Sequence, residues 1–295
     1  MLTTALPNLH AWALYLERAP LPVLQRTVNE LAALHERLDQ ITGRDLSRII
    51  LHDPMMTLRV LRYLQSHRAP SQQTEVTTIA HAIMMMGLGP FFRAFQDLPT
   101  LENHLRDHPD AMHGVMRVMS RARHAALFAE DWSRLRHDLE SDEVTIAALL
   151  HDAGEMLLWC FAPTLATQIR QLQQDNPGMR SAEAQKQVLG FPLPVLQQEL
   201  GRQWHLPALL QVLMDDQQDQ RSPRVHNVVL AVSLARHAAN GLHDAALPDD
   251  YKAVQQFLAL NPEQTWDHIR RMILKAGREW DWYGVPPVAA WLPQQ

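Results

Sequence analysis

Apolar residues recur along most of this chain at three- and four-residue steps, the spacing of one face of an α-helix. Leu24, Val28, Leu31, Leu34 and Leu38 mark a first amphipathic helix after Pro20 and Pro22. Asp45 is placed to cap a short helix carrying Leu46, Ile49 and Ile50. Asp53-Pro54 should end that helix and start another, because proline disfavours a helical residue before it yet suits a first helical turn. Leu58, Leu61 and Leu64 give the new helix its buried stripe. Thr78 can cap a helix through Ile79, Ile83 and Met86, with Gly87 as a left-handed stop, and Pro90 begins the next one. Met112, Val115, Met116, Met119, Ala122 and Ala126 form a further stripe, whose methionines suit adaptable core packing.

The most apolar stretch opens at Ser141 and Asp142 and runs through Ile146, Leu149, Leu150, Ala153 and Leu157 as one helix to about Pro163. Leu165, Ile169 and Leu172 predict the next helix, and Asn176-Pro177-Gly178 a turn. A second apolar helix is expected from Val225 to Ala239, ended by Asn240-Gly241, and Pro248 precedes another through Val254, Phe257 and Leu258. The tail holds Trp280, Trp282, Tyr283, Pro286, Pro287, Trp291 and Pro293, which is too aromatic for a disordered linker. It reads as an extended segment laid across the helices, with an exposed partner-binding tail as the alternative. No internal repeat is evident.

Composition agrees with an all-α chain. There are only 11 glycines in 295 residues, β-branched runs are scarce, and strand signals are nearly absent. Hydrophobic residues make up 46% and charged residues 20%, so burial can offset chain entropy without disulfides or structural metals. The single cysteine, Cys160, lies in an apolar run and cannot form an intramolecular disulfide, which favours a reduced compartment. No run reaches about 18 uninterrupted apolar residues, so a cytoplasmic location without a membrane span is expected. A net charge of −5 argues against a nucleic-acid binder, since phosphate neutralisation needs clustered cations. The densest basic patch, Arg117, Arg121, Arg123, Arg134 and Arg136, is interrupted by Glu130 and Asp131 and reads as a solvated helix face rather than an anion-binding one.

Chemistry could reside at His151-Asp152, within Ala147-Ala148-Leu149-Leu150-His151-Asp152-Ala153-Gly154. Adjacent residues on a helix point about 100° apart, so the pair could face one bound ion. A catalytic metal needs at least three protein ligands and an open position, so further donors must come from other helices. The alternative is a buried histidine bonded to its carboxylate neighbour or to backbone.

Several motifs, in order, resemble the HDOD family (HD-related output domain) of the His-Asp superfamily of metal-dependent phosphohydrolases. Ile49 to Thr57, with Asp53-Pro54 inside it, resembles the family's "I…DP.LT" element. Ile79 to Ile83 with Met86-Gly87-Leu88 resembles "I..AI..LG", and Leu149 to Gly154 resembles "LLHDIG". Leu189-Gly190-Phe191 and Trp204-His205-Leu206-Pro207 resemble "LGFDHAEVG…W.LP". These elements span roughly residues 20 to 220.

The resemblance implies a multi-helical HD-domain-like bundle with an additional N-terminal helical subdomain. Residues 1–105 would form the N-terminal part, 106–240 a degenerate HD-like core, and 241–295 C-terminal helices with the Trp/Pro-rich tail packed on that core. It also implies that ligands have been lost. The family's upstream histidine falls at Met119, the later one at Leu193, and the late aspartate of active His-Asp proteins at Arg236. His151 and Asp152 would then be a vestigial motif, with no catalytic residues, metal or cofactor. The expected function is a non-catalytic signalling or regulatory module that binds a protein partner or a small signalling nucleotide. Two alternatives stay open. One is a residual phosphohydrolase or phosphodiesterase drawing on His124, His226, His237, Asp215 or Asp216; the other is a nucleotide-binding sensor without hydrolysis.

Overall fold

The computed structural model describes residues 1–67, 75–137 and 141–292. Among them the chain is a succession of helices, and its one β-bridge is an isolated parallel contact between Val23 and Thr100. In order, the helices are α1 (Leu9–Glu17), α2 (Gln25–His35), α3 (Gly43–Ile50), α4 (Pro54–Ser66), α5 (Ile79–Met86), α6 (Leu88–Ala94), α7 (Leu101–His104), α8 (Pro109–Arg136), α9 (Ser141–Leu150), α10 (Ala153–Phe161), α11 (Pro163–Asp175), α12 (Ser181–Leu189), α13 (Leu193–Gln203), α14 (Ala208–Leu213), α15 (Pro223–Ala238), α16 (Leu247–Leu258) and α17 (Pro262–Gly277). One hydrophobic cluster runs through them from Trp12 to Val285.

The long helix α8 is the axis of the bundle, with α9, α15, α10 and α17 packed around it. It approaches α10 closely because Gly114 has no side chain: a Cβ there would lie 2.5 Å from the Trp159 ring. The N-terminal helices are tied together by Asp53. This fully buried carboxylate accepts hydrogen bonds from Leu24 N (2.8 Å), Thr27 Oγ1 (2.7 Å), and Met55 N and Met56 N (3.0 Å each). It caps α4, as Asp53-Pro54 predicts, and at the same time pins the start of α2. Burial pushes its carboxyl pKa up against the pull of these four bonds.

Three local expectations change. Asp45 is not the cap of α3; Thr42 is, and Asp45 returns the bond from the N3 position in a reciprocal capping box. The predicted single helix from Ser141 to Pro163 is two helices broken at His151-Asp152. The Asp152 carbonyl starts α10 by accepting from Glu155 N and Met156 N, so both side chains project from a turn rather than from adjacent helical positions. That stretch is long and apolar enough to cross a membrane by composition, but 94% of its most apolar 18 residues is buried inside the fold.

The tail is the third. Its backbone forms 3-10 turns at Trp280–Trp282 and Val288–Trp291 rather than an extended strand. Tyr283 and Val285 are buried against the helices, while Trp280 and Trp291 are 55% and 56% exposed, so the segment is laid on the core at its middle only. Pro293 lies outside the described residues.

Candidate functional site

The turn between α9 and α10 aims Asp152 at two arginines. Arg121, on α8, donates from Nε (2.9 Å) and Nη2 (2.7 Å) to Asp152 Oδ2, and from Nη2 to Glu155 Oε2 (2.6 Å). Arg236, on α15, donates from Nη2 to Asp152 Oδ1 (2.9 Å). His151 stands beside them. Its Nε2 lies 2.8 Å from Asp216 Oδ1, while its Nδ1 is 3.5 Å from Asp152 Oδ1, a contact at the outer limit of a hydrogen bond. The hub therefore joins α8, α10, α15 and the 3-10 turn that starts at Asp216.

Each protonation state follows from this geometry. Burial favours a neutral Asp152, but Arg121 and Arg236, with His151 beside them, hold its carboxyl well below the usual range. Burial alone would depress the His151 imidazole. The carboxylates of Asp152 and Asp216 outweigh it and raise its pKa to about 9, so it is an imidazolium at neutral pH. Burial likewise opposes ionisation of Asp216, and His151 holds its pKa down. Three cations, Arg121, Arg236 and His151, thus face three carboxylates, Asp152, Glu155 and Asp216.

This donor set does not fit a divalent metal. A metal needs free carboxylate oxygens, whereas here both Asp152 oxygens accept from guanidinium groups, Oδ2 from Arg121 and Oδ1 from Arg236. Among the described residues no three or more His, Cys, Asp or Glu side chains are placed to hold an ion.

The other candidates lie elsewhere or take other partners. Met119 is fully buried in the core, two positions before Arg121 on α8. Leu193 is buried at the start of α13, and its carbonyl lies over Gly154. His124 is buried and stacked on Phe128 at 4.4 Å; burial lowers its pKa to about 4, and its Nε2 has no hydrogen-bond partner among the described residues. His226 bonds to Asp219 (2.7 Å) and His237 to Asp250 (2.6 Å). Asp215 caps the 3-10 turn by accepting from Gln217 N. Of the possible extra ligands, then, only Asp216 meets His151.

One expectation needs correcting. Arg121 and Arg123 do not belong to a solvated face; they are largely buried, and Arg123 makes a two-pronged pair with Glu279 (2.7 and 2.9 Å). Arg121 is also the functional residue that spacing alone misses, although an arginine two residues after Met119 on an apolar helix calls for a buried partner.

Similarity agrees with the motif order. A family model for the HDOD domain matches residues 21–220. Among solved structures, the MmoQ response regulator from Methylococcus capsulatus str. Bath superposes with a TM-score of 0.62 at 18% identity, covering 86% of this chain and 98% of that one. A virulence factor from Campylobacter jejuni subsp. jejuni superposes with a TM-score of 0.59 at 17% identity, covering 93% and 92%. At such identities the likeness concerns the fold alone. A search of curated proteins returned no match. The chain belongs to the HDOD domain family.

Proposed function

We propose that this protein is a non-catalytic signalling module in which internal cations have replaced the metal of a His-Asp phosphohydrolase. The observation that carries the reading is the pair of guanidinium groups on Asp152. In this reading Met119, Leu193 and Arg236 occupy the positions of lost ligands, and His151-Asp152 is a vestigial motif kept for structure. Arg236 then does more than remove an aspartate: it inverts the charge at that position and supplies the cation that Asp152 would otherwise take from solution. A signalling role accords with membership of an output-domain family and with the response regulator among the structural neighbours. Binding to a protein partner or a small signalling nucleotide, in the cytoplasm, would be the mode of action.

Hydrolysis of bis-p-nitrophenyl phosphate by the full chain, with Mn²⁺ or Fe²⁺ added, tests this. The expected rate equals that of the Asp152→Ala variant. A metal-dependent rate that this variant loses would establish the residual phosphodiesterase instead.

A further inference from the structure

Three residues of the ion-paired hub, Arg121, Glu155 and Arg236, line a concavity of about 880 Å³ between α8, α10, α11, the start of α12 and the end of α15. That volume is within the range of small-molecule sites, roughly 300–1,000 Å³. Its charge is unlike that of the whole chain. The protein carries −5 overall, yet five arginines line this hollow (Arg117, Arg121, Arg170, Arg180 and Arg236) against two carboxylates, Glu155 and Asp244.

Pairing within the fold uses up only part of that charge. Arg121 is bound to Asp152 and Glu155, and Arg236 to Asp152. Asp244 accepts from Asn240 and from Ala246 N, so it neutralises no arginine by a direct bond. Arg170 lies over the Trp159 ring at 5.2 Å, a cation–π contact that leaves its hydrogen-bond donors available. Arg117 and Arg180 are exposed and make no side-chain hydrogen bond or ion pair among the described residues. Arg117 sits one helical turn before Arg121, so α8 carries its paired and unpaired cations on the same face. Confining several cations to a hollow with low-dielectric walls focuses a positive potential there, and among the described residues the pairings of Arg121 and Arg236 leave Arg117 and Arg180 without a counter-ion.

The remaining lining tells what kind of anion would fit. Leu158, Ile169 and Met179 supply apolar surface, and Gln173, Gln174 and Asn240 supply amide donors and acceptors at the edge. A bare phosphate would fill a small fraction of the space and leave that surface unused. An acidic peptide would be met better by cations set along a stripe than by cations converging on one hollow.

We propose that this groove binds a nucleoside polyphosphate, with its phosphates held by Arg117, Arg180 and Arg170 and its base against the apolar and amide-bearing side. Arginine suits the phosphate role because its planar fork donates two parallel bonds to phosphate oxygens. The inference deepens the signalling reading by naming the chemical class of the signal, and it does not require hydrolysis.

Titration calorimetry of the full chain with ATP, GTP and inorganic pyrophosphate tests it, alongside the double variant Arg117→Glu/Arg180→Glu. Neither side chain has a hydrogen-bond or ion-pair partner to lose among the described residues, so the variant should keep the wild-type melting temperature. Saturable binding of ATP or GTP, tighter than that of pyrophosphate and weakened at least about tenfold in the variant, is the expected result; two lost charge-assisted contacts correspond to no less than that. Absence of binding by both nucleotides, or equal affinity in a folded variant, would overturn it, as would charge-sensitive binding of an oligoglutamate peptide alone. Phosphate release measured on the same samples separates the two claims. Binding with metal-dependent release lost in Asp152→Ala sinks the non-catalytic reading and leaves the groove assignment standing, whereas absence of both sinks the groove assignment alone.

Discussion

Asp152→Ala removes the one group that Arg121, Arg236 and His151 share. Arg121 is left with Glu155 and His151 with Asp216, while Arg236 loses its carboxylate. Breaking a buried pair by removing one partner costs about 3–5 kcal/mol, because the surviving charge is left without compensation. Arg236 is 39% exposed and can turn to water, and Arg121 keeps Glu155, so the lower end of that range applies, about 3 kcal/mol. For 295 residues at about 2.1 cal/mol/K each, the unfolding entropy is roughly 0.6 kcal/mol/K, and the melting temperature should fall by about 5 °C. Urea denaturation at pH 7 and a thermal melt followed by circular dichroism give both numbers. A folded variant within about 0.5 kcal/mol of the wild type, the range of an ordinary surface substitution, would refute the idea that Asp152 neutralises buried cations.

Further outcomes follow from the same structure. His151 has its pKa raised from 6.5 to about 9, so its contribution, about 3 kcal/mol, is complete below pH 6.5 and lost as pH rises from 6.5 to 9; the urea midpoint should fall over that window, and less steeply in Asp216→Asn. Glu279 behaves in the opposite sense. Burial would raise its pKa, but His52 and Arg123 lower it to about 2, so its stabilisation is present above pH 4.5 and fades as pH falls towards 2. Glu279→Gln should loosen the tail, where Trp282 stacks on His52 at 4.5 Å and Tyr283 donates to the His52 carbonyl (2.7 Å), and limited proteolysis should then cut near residue 280 faster than in the wild type. Gly114→Ala would set a methyl group 2.5 Å from the Trp159 ring and should cost about 1–3 kcal/mol, read from the urea midpoint.

The fold was legible where local chemistry decides it. Asp53-Pro54 and Thr78 cap their helices as their residue types require, and the stripes on α2, α4, α8 and α11 face the core. Helix ends governed by two residues at once were harder to read: Asp45 is a good N-cap by type, and only its reciprocal bond with Thr42 moves the boundary. The break at His151-Asp152 is invisible to hydrophobic periodicity, because both flanking helices are apolar nearly all round. At the break the two side chains are held by tertiary partners, Arg121, Arg236 and Asp216, which periodicity does not register.

The site was legible in the same partial way. The sequence singles out His151, Asp152 and Arg236, and Asp216 among the possible ligands, but it says nothing about which charges meet. Arg121 lies 31 residues before Asp152 and Arg236 lies 84 after it, separations over which no periodicity argument operates. The basic patch on α8 shows the same limit. Arg117 and Arg121 differ by one helical turn and line the same groove, yet one is exposed while the other is locked in a buried pair with Asp152 and Glu155.

Metal content is the most direct test of whether internal cations have replaced the ion. Purified full-length chain, incubated with excess Mn²⁺, Fe²⁺ or Zn²⁺ and desalted, should carry far less than one ion per chain by elemental analysis. Whatever remains should be the same in Asp152→Ala, as expected for ions held by scattered surface histidines. Near-stoichiometric metal that chelator removes and that Asp152→Ala abolishes would contradict the replacement of the metal by Arg121, Arg236 and His151.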